Sequence, residues 1–226
     1  MLISASTNIG SRCVNADAYD GSIFTEHSAE RTSYFAVCDG VGEQIGRVAS
    51  QRAIAGLRAA WEELSDLDRQ TLPLQEIAVR LALCGREALC DIRLATTLAL
   101  VVVRGSAYAA LNVGDSPIFL RRGGETRELS VRDNNYFWKK SLGIEHPPES
   151  DADILREDLA TSQRERLHIR EGELVPGDTL LLCSDGVVGV GFPAWEASAE
   201  AMVRTAAERD PRADNCTAIM LRCPEA

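Results

Sequence analysis

The sequence has no Cys-x-x-Cys pair, no apolar run of transmembrane length and no histidine or cysteine cluster spaced for a metal. Its seven cysteines are an odd number scattered along the chain. That argues against a disulfide framework and against a zinc knuckle. Cys38 and Cys183 stand inside apolar runs, where cysteine behaves as a small hydrophobe; redox sensing is the alternative. The first residues, MLISASTNIGSR, lack the basic start and long apolar core of a secretory signal, so the expected location is the cytoplasm and no membrane partner is expected. Basic residues are scarce. Lys and Arg total 24 against 34 Asp and Glu, giving a net charge of -10, which excludes a typical nucleic-acid backbone binder. The surplus acid is either a solubilising surface or a set of metal ligands.

The chain has 226 residues, 45% hydrophobic and 26% charged, which fits a globular protein with a sizeable core. Residues 3–6 and the stretch leading to Asp20 suggest two strands, and the apolar run 34–38 a third. From Gly46 the period becomes helical, with Ile54, Leu57, Trp61 and Leu64 on one stripe. A second helix opens at Pro73, with a stripe of Leu74, Ile77, Leu81, Cys84 and Ala88. The short linker SDLDRQTL makes the two helices antiparallel neighbours. Strands then follow at 96–103, 107–114 and around Gly123-Gly124. Residues 131–165 show little regularity, and Pro147-Pro148 mark an excursion. Two strands lie in RLHIREGELVPGDTLLLCSDG, a helix over 193–209 and a strand in NCTAIMLRC. This order is not a βαβ alternation. It predicts an α+β fold of antiparallel sheets covered by helices, in a single domain spanning 1–226.

Four segments place an aspartate beside Gly, Ser or Asn at the end of an apolar run: FAVCDG (Asp39-Gly40), ALNVGDS (Asp115), LLLCSDG (Asp185) and RADNCTAIML (Asp214). Asp39 and Asp185 follow strands and Asp214 precedes one. Antiparallel neighbours set the end of one strand beside the start of the next, so these carboxylates converge at one sheet edge. Converging carboxylates repel unless protons or cations intervene. Hard cations such as Mg²⁺ and Mn²⁺ take carboxylates, carbonyls and waters, and a glycine lets its carbonyl approach an ion closely. The competing explanation is that Asp-Gly is only a turn signal. His27, His146 and His168 are far apart and match no ligand motif.

In order along the chain, RCVNAD (Arg12, Asn15, Asp17), VCDGVGEQIGRVAS, ATTLALVVV, LNVGDSPIFLRRGGE, LSVRDN, SLGI, VPGDTLLLCSDGV and ADNCTAIML resemble the motifs of the metal-dependent Ser/Thr protein phosphatases, the PPM or type-2C family, in its short bacterial form. The resemblance implies a four-layer α-β-β-α sandwich of two antiparallel sheets and a binuclear Mn²⁺ or Mg²⁺ centre, with a possible third ion. It implies that Asp39 bridges the metals, that the Gly40 carbonyl binds one of them, and that Asp185 and Asp214 bind the other. Asp115 matches the third-metal aspartate, Asp17 the residue holding water from behind, and Arg12 the ligand of the substrate phosphate. Hydrolysis by a metal-activated water needs no cysteine nucleophile, and none of the seven cysteines lies in a phosphate-cradling loop.

The resemblance also implies a phosphoserine or phosphothreonine protein as substrate and a cognate Ser/Thr kinase as partner, with residues 145–165 as a variable flap. The sequence departs from the family pattern at several positions. Ala16 stands where many members have Glu, and Glu43 replaces a glycine. Val41 carries no acid, Pro117 replaces an arginine, and Asn134 replaces a histidine. Pro117 and Asn134 are expected to be structural, and Glu43 to face solvent. Trp138 with Lys139-Lys140 is either a partner face or a packed aromatic beside solvated lysines. Ala16, Glu43 and Pro117 favour an alternative function, a regulatory or phosphoprotein-binding domain with weak catalysis. The retained Asp39, Asp185 and Asp214 oppose it. A small phosphorylated regulator is a further candidate substrate.

Overall fold

The apolar runs 34–38 and 98–103 show no alternation because both faces of their strands are covered. In β3 (Thr32–Cys38), Tyr34, Ala36 and Cys38 join a core beneath helices, while Phe35 and Val37 join a second core on the other face. In β4 (Leu98–Arg104), Leu98, Leu100 and Val102 divide from Ala99, Val101 and Val103 in the same way. A strand buried on both faces loses the two-residue polar period of a half-exposed one. The structure is a computed structural model and describes residues 1–22, 31–90, 94–163, 166–209 and 212–225. His27 and the last two residues of the 145–165 segment lie outside these.

The remaining strands are β1 (Leu2–Asn8), β2 (Ala18–Gly21), β5 (Ala107–Val113), β6 (Ile118–Arg122), β7 (Glu125–Glu128), β8 (His168–Glu173), β9 (Thr179–Cys183) and β10 (Cys216–Arg222). They form two five-stranded sheets, β2-β3-β4-β5-β8 and β1-β10-β9-β6-β7, with every neighbouring pair antiparallel. Helices α1 (Gln44–Glu63) and α3 (Leu74–Glu87) cover the first sheet through Ile54, Leu57, Trp61, Ile77 and Leu81. Helix α5 (Ala199–Arg209) covers the second through Met202, Val203 and Ala206. Between the sheets, Phe35, Val101 and Tyr108 meet Ile118, Leu182 and Ile219. The result is the four-layer α-β-β-α sandwich that the sequence implied. Cys38 and Cys183 are buried in it as small hydrophobes.

Three boundaries differ from expectation. The linker SDLDRQTL contains a short helix, α2 (Asp66–Thr71), because the Ser65 hydroxyl accepts from the Asp68 N–H at 3.0 Å and caps it. The last helix begins at Ala199, not at Pro193. Residues 193–198 run across the sheet edge instead, where the Trp195 indole donates to Thr126 at 2.8 Å and Ser198 supplies the cap. The stretch 131–165 contains helix α4 (Asn135–Ser141) and a short 3₁₀ turn, Glu149–Asp153. This stretch is laid on the body by Leu159, which is buried in the first core and donates its N–H to the Thr96 carbonyl at 2.8 Å. Among the described residues no helix is long and apolar enough to cross a membrane.

The VPGD turn before β9 shows how one motif aspartate serves the fold rather than chemistry. The Asp178 carboxylate accepts from the Val175 N–H and, at 2.6–3.2 Å, from two nitrogens of Arg122, so it ties the turn to β6. Burial pushes its pKa up, but these hydrogen bonds outweigh burial and leave it below the ordinary carboxylate value. A depressed folded pKa stabilises the protein above the unfolded pKa, and the gain is lost as pH falls through the folded value. Asp178→Asn is therefore expected to lower the melting temperature by a few degrees at pH 7. The gap to wild type should close on acidification toward pH ~3, followed by circular dichroism.

Candidate active site

Strand pairing brings the four predicted aspartates to one end of the sandwich. Ala18 at the start of β2 pairs with Cys38 at the end of β3, and Leu98 at the start of β4 pairs with Val113 at the end of β5. In the other sheet Ala218 pairs with Cys183, so the end of β9 meets the start of β10. Asp39, Asp115, Asp185 and Asp214 each lie one or two residues beyond such an end. Together with Arg12 and Gly40 they line one cleft of about 360 Å³. Asp17 is buried directly behind it, before β2.

The backbone around Asp39 is pinned on both sides. Its N–H donates to the Thr97 hydroxyl at 2.9 Å, and its carbonyl accepts from the Thr97 N–H and the Thr96 hydroxyl, both at 2.8 Å. Thr97 is held in turn by Ser116 at 2.6 Å. Glycine follows because there is no room for a side chain. A Cβ on Gly40 would lie 2.0 Å from the Gly46 carbonyl oxygen, and one on Gly46 would lie 2.4 Å from the Gly40 oxygen. The first turn of α1 thus rests against the backbone behind Asp39.

Asn215 organises the opposite wall. Its side-chain amide donates to the Ile9 and Val14 carbonyls at 2.8 and 3.0 Å, and its Oδ1 accepts from the Ala16 N–H at 2.8 Å. The loop carrying Arg12 is thereby stapled to the start of β10. On that loop, the Arg12 guanidinium donates to both Asp214 oxygens, at 2.9 and 2.6 Å. Both side chains are about half exposed at the cleft mouth. Asn15, from the same motif, holds Thr7 and caps the Asp17 N–H, so its part is structural.

The electrostatics are those of crowded acid. Burial, then the charges of Asp17, Asp185 and its other neighbours, raises Asp39 well above the carboxylate range. Burial, then Asp115 and Asp214, lifts Asp185 to about 7. Burial likewise lifts Asp17 to about 7, against hydrogen bonds from Thr217 and Ser184. The Ser184 hydroxyl donates to Asp17 Oδ2 at 2.8 Å, while Asp17 Oδ1 is buried without a hydrogen-bond partner. Such a site is unfavourable until a cation compensates it. All the candidate donors lining the cleft are oxygens, which suits a hard divalent ion. Among the described residues, no three His, Cys, Asp or Glu side chains are already drawn together as a ligand set. Asp214, for one, is held by Arg12.

The comparisons with known proteins agree with this geometry. The family model described as protein phosphatase 2C matches residues 7–216. The chain belongs to the protein phosphatase 2C family. It is 28% identical over 175 residues to the serine/threonine phosphatase stp of Listeria welshimeri, a match covering 68% of this chain and 66% of that protein, just under two thirds of its length. It is similar in structure to the serine/threonine phosphatase of S. agalactiae, with a TM-score of 0.77, 21% identity and 98% of each chain covered. It is similar also to the catalytic domain of the serine/threonine phosphatase PstP, solved with two manganese ions, with a TM-score of 0.73, 23% identity and 96% of each chain covered. At such identities the structural likeness establishes the fold.

The departures from the type-2C pattern fall outside the carboxylate set. Ala16 is buried, and its carbonyl accepts from Ser50 at 2.6 Å. Glu43 is exposed on the cleft rim. Pro117 is buried, with its carbonyl accepting from Cys183. Trp138 is half-exposed, with Arg156 stacked at 4.2 Å, and Lys139 pairs with Asp151 at 2.7 Å. Asn134, expected to be structural, is buried, caps the helix that follows it and also donates to Asp115 at 3.0 Å. Sequence reasoning also missed Ser184, Thr97, Asn215 and Gly46. All four stand inside quoted motifs, but Ser184 and Thr97 serve aspartates of other segments, Asp17 and Asp39.

Gly46→Ala tests the close approach behind Asp39. The added methyl cannot be accommodated without moving backbone, so the variant is expected to lose roughly 3 kcal/mol or more in urea unfolding, a cost found only where a specific strain operates. An unchanged midpoint would contradict the packing described.

Proposed function

We propose that this type-2C phosphatase hydrolyses phosphoserine and phosphothreonine on proteins, reversing a Ser/Thr kinase in the cytoplasm. The observation that carries this reading is the convergence of oxygen donors with one guanidinium in a single cleft. Asp39 and the Gly40 carbonyl would hold one divalent ion, and Asp39, Asp185 and Asp214 a second, with Asp115 available to a third. PstP, solved with two manganese ions, supports Mn²⁺, and Mg²⁺ suits the same donors. When bound, the ions supply a nucleophilic water at neutral pH and offset the charge that develops on the phosphoryl oxygens.

The chain's own groups do the rest. The planar Arg12 fork fits two phosphoryl oxygens and orients the ester at the cleft mouth. To do so it must leave Asp214, so phosphate and Asp214 compete for Arg12, just as Arg12 and a cation compete for Asp214. Asp17, held through one oxygen by Ser184 and with its other oxygen buried and unpaired, would hold a proton of the attacking water from behind. Residues 145–165 would act as a flap on this single catalytic domain, since Ala152, Asp153 and Leu155 line the cleft. The acidic chain suits neither nucleic acid nor an anionic membrane surface. A binding domain with weak catalysis is not favoured, because Asp39, Asp185 and Asp214, which would be costly without a metal, are retained.

Hydrolysis of p-nitrophenyl phosphate and a phosphothreonine peptide should require Mn²⁺ or Mg²⁺ and stop in EDTA. Asp39→Asn and Asp185→Asn should each lower kcat by on the order of 100-fold or more. No turnover by folded wild type with either metal would refute the enzyme reading. Arg12→Ala should raise KM about 10-fold, as loss of bidentate phosphate recognition would, with a smaller effect on kcat. The same variant should bind Mn²⁺ more tightly in calorimetry, because Asp214 is released. Weaker Mn²⁺ binding would contradict the competition.

A further inference from the structure

Asn134 is 2% exposed and stands where three parts of the molecule meet. Its Oδ1 accepts from the Phe137 N–H at 3.1 Å and caps α4, while its Nδ2 donates to Asp115 Oδ2 at 3.0 Å. Its backbone bridges to Leu155, and the next residue donates its N–H to the Ile154 carbonyl at 3.0 Å. Leu155, with Ala152 and Asp153, forms a wall of the cleft that Asp115 also lines. One side chain therefore connects a candidate ligand carboxylate, the cap of α4 and the cleft wall.

The chemistry of the residue suits this double role. A side-chain amide offers an acceptor to the helix and a donor to the carboxylate at once; an ionised Asp offers only acceptors, and Ser only one short hydroxyl. Arg132, whose charge acts on Asp115, is not hydrogen-bonded to it. Arg132 is committed to Glu128 and to the carbonyls of Gly189 and Gly191. Burial of Asp115 disfavours its charge, and the hydrogen bond from Asn134 opposes that effect.

We propose that Asn134 is a positioning residue for Asp115, holding that carboxylate ready for a divalent cation and keeping it in register with the 152–155 wall. This rests on the phosphatase reading. Partners one step behind a ligand typically govern 10–100-fold in metal affinity or activity.

The test is calorimetric titration with Mn²⁺, together with the Mn²⁺ dependence of p-nitrophenyl phosphate hydrolysis. Asn134→Ser keeps a helix cap and removes the amide donor, and Asn134→Asp does the same while adding charge. Asn134→Ser should need about 10-fold more Mn²⁺ for half-saturation, with kcat recovering at saturating Mn²⁺, whereas the carboxylate of Asn134→Asp should change Mn²⁺ affinity in one direction or the other but not leave it at the wild-type value. Asp115→Asn should show the same shift as Asn134→Ser, and adding Asn134→Ser to it should make it no worse. Should Asn134→Asp fail to fold, Asn134→Ser carries the comparison. Folded variants that bind Mn²⁺ as wild type does, or a double variant whose defects add, would overturn the assignment and leave the phosphatase reading intact. Wild type that neither binds Mn²⁺ nor turns over would overturn both.

Discussion

The mutual repulsion of carboxylates gathered at one edge of the sandwich is the constraint around which this molecule is built. Asp17, Asp39, Asp115 and Asp185 are all pushed toward their protonated forms by burial and, for most of them, by one another. A chain free to relax would spread them apart. It is not free, because Asp39, Asp115 and Asp185 each follow a strand whose residues are locked into hydrophobic layers on both faces, and Asp17 is held before β2 by Ser184. The three cores thus hold in place an arrangement that is unfavourable in the absence of a cation.

The small polar residues around the cleft gain their meaning from that constraint. Thr96 and Thr97 fix the backbone at Asp39, Ser184 fixes one oxygen of Asp17, and Asn215 staples the Arg12 loop to the second sheet. Among the described residues Arg12 is the only cation that lines the cleft, and it sits on Asp214. Paired in this way, the guanidinium offsets part of the negative charge of the cleft. On the proposed function it would be released to the phosphate when that carboxylate is otherwise engaged.

Much of this was legible in the sequence. Runs ending in Asp-Gly or beginning with Asp-Asn could be placed at one edge because antiparallel pairing leaves little choice, and two-sided burial explains why those runs lack alternation. The helical stripe of α1 was equally plain. Helix α4 was not, since NYFWKKS is too short to show a period and owes its start to the Asn134 cap. The helix expected from Pro193 begins at Ala199 because Trp195 and Ser198 are used by the tertiary structure instead. Asn134 looked like a neutral departure from a motif, since the motif does not show that residue 134 faces residue 115. The glycine behind Asp39 had been explained by its carbonyl. The structure adds a second reason, the close approach of Gly46.

The most direct measurement is the melting temperature of wild type and Asp39→Asn, each in EDTA and in millimolar Mn²⁺. If the cluster is held against its own repulsion, removing one carboxylate stabilises the metal-free protein, and Mn²⁺ stabilises wild type far more than the variant. A variant less stable than wild type in EDTA, with an undiminished response to Mn²⁺, would contradict the account.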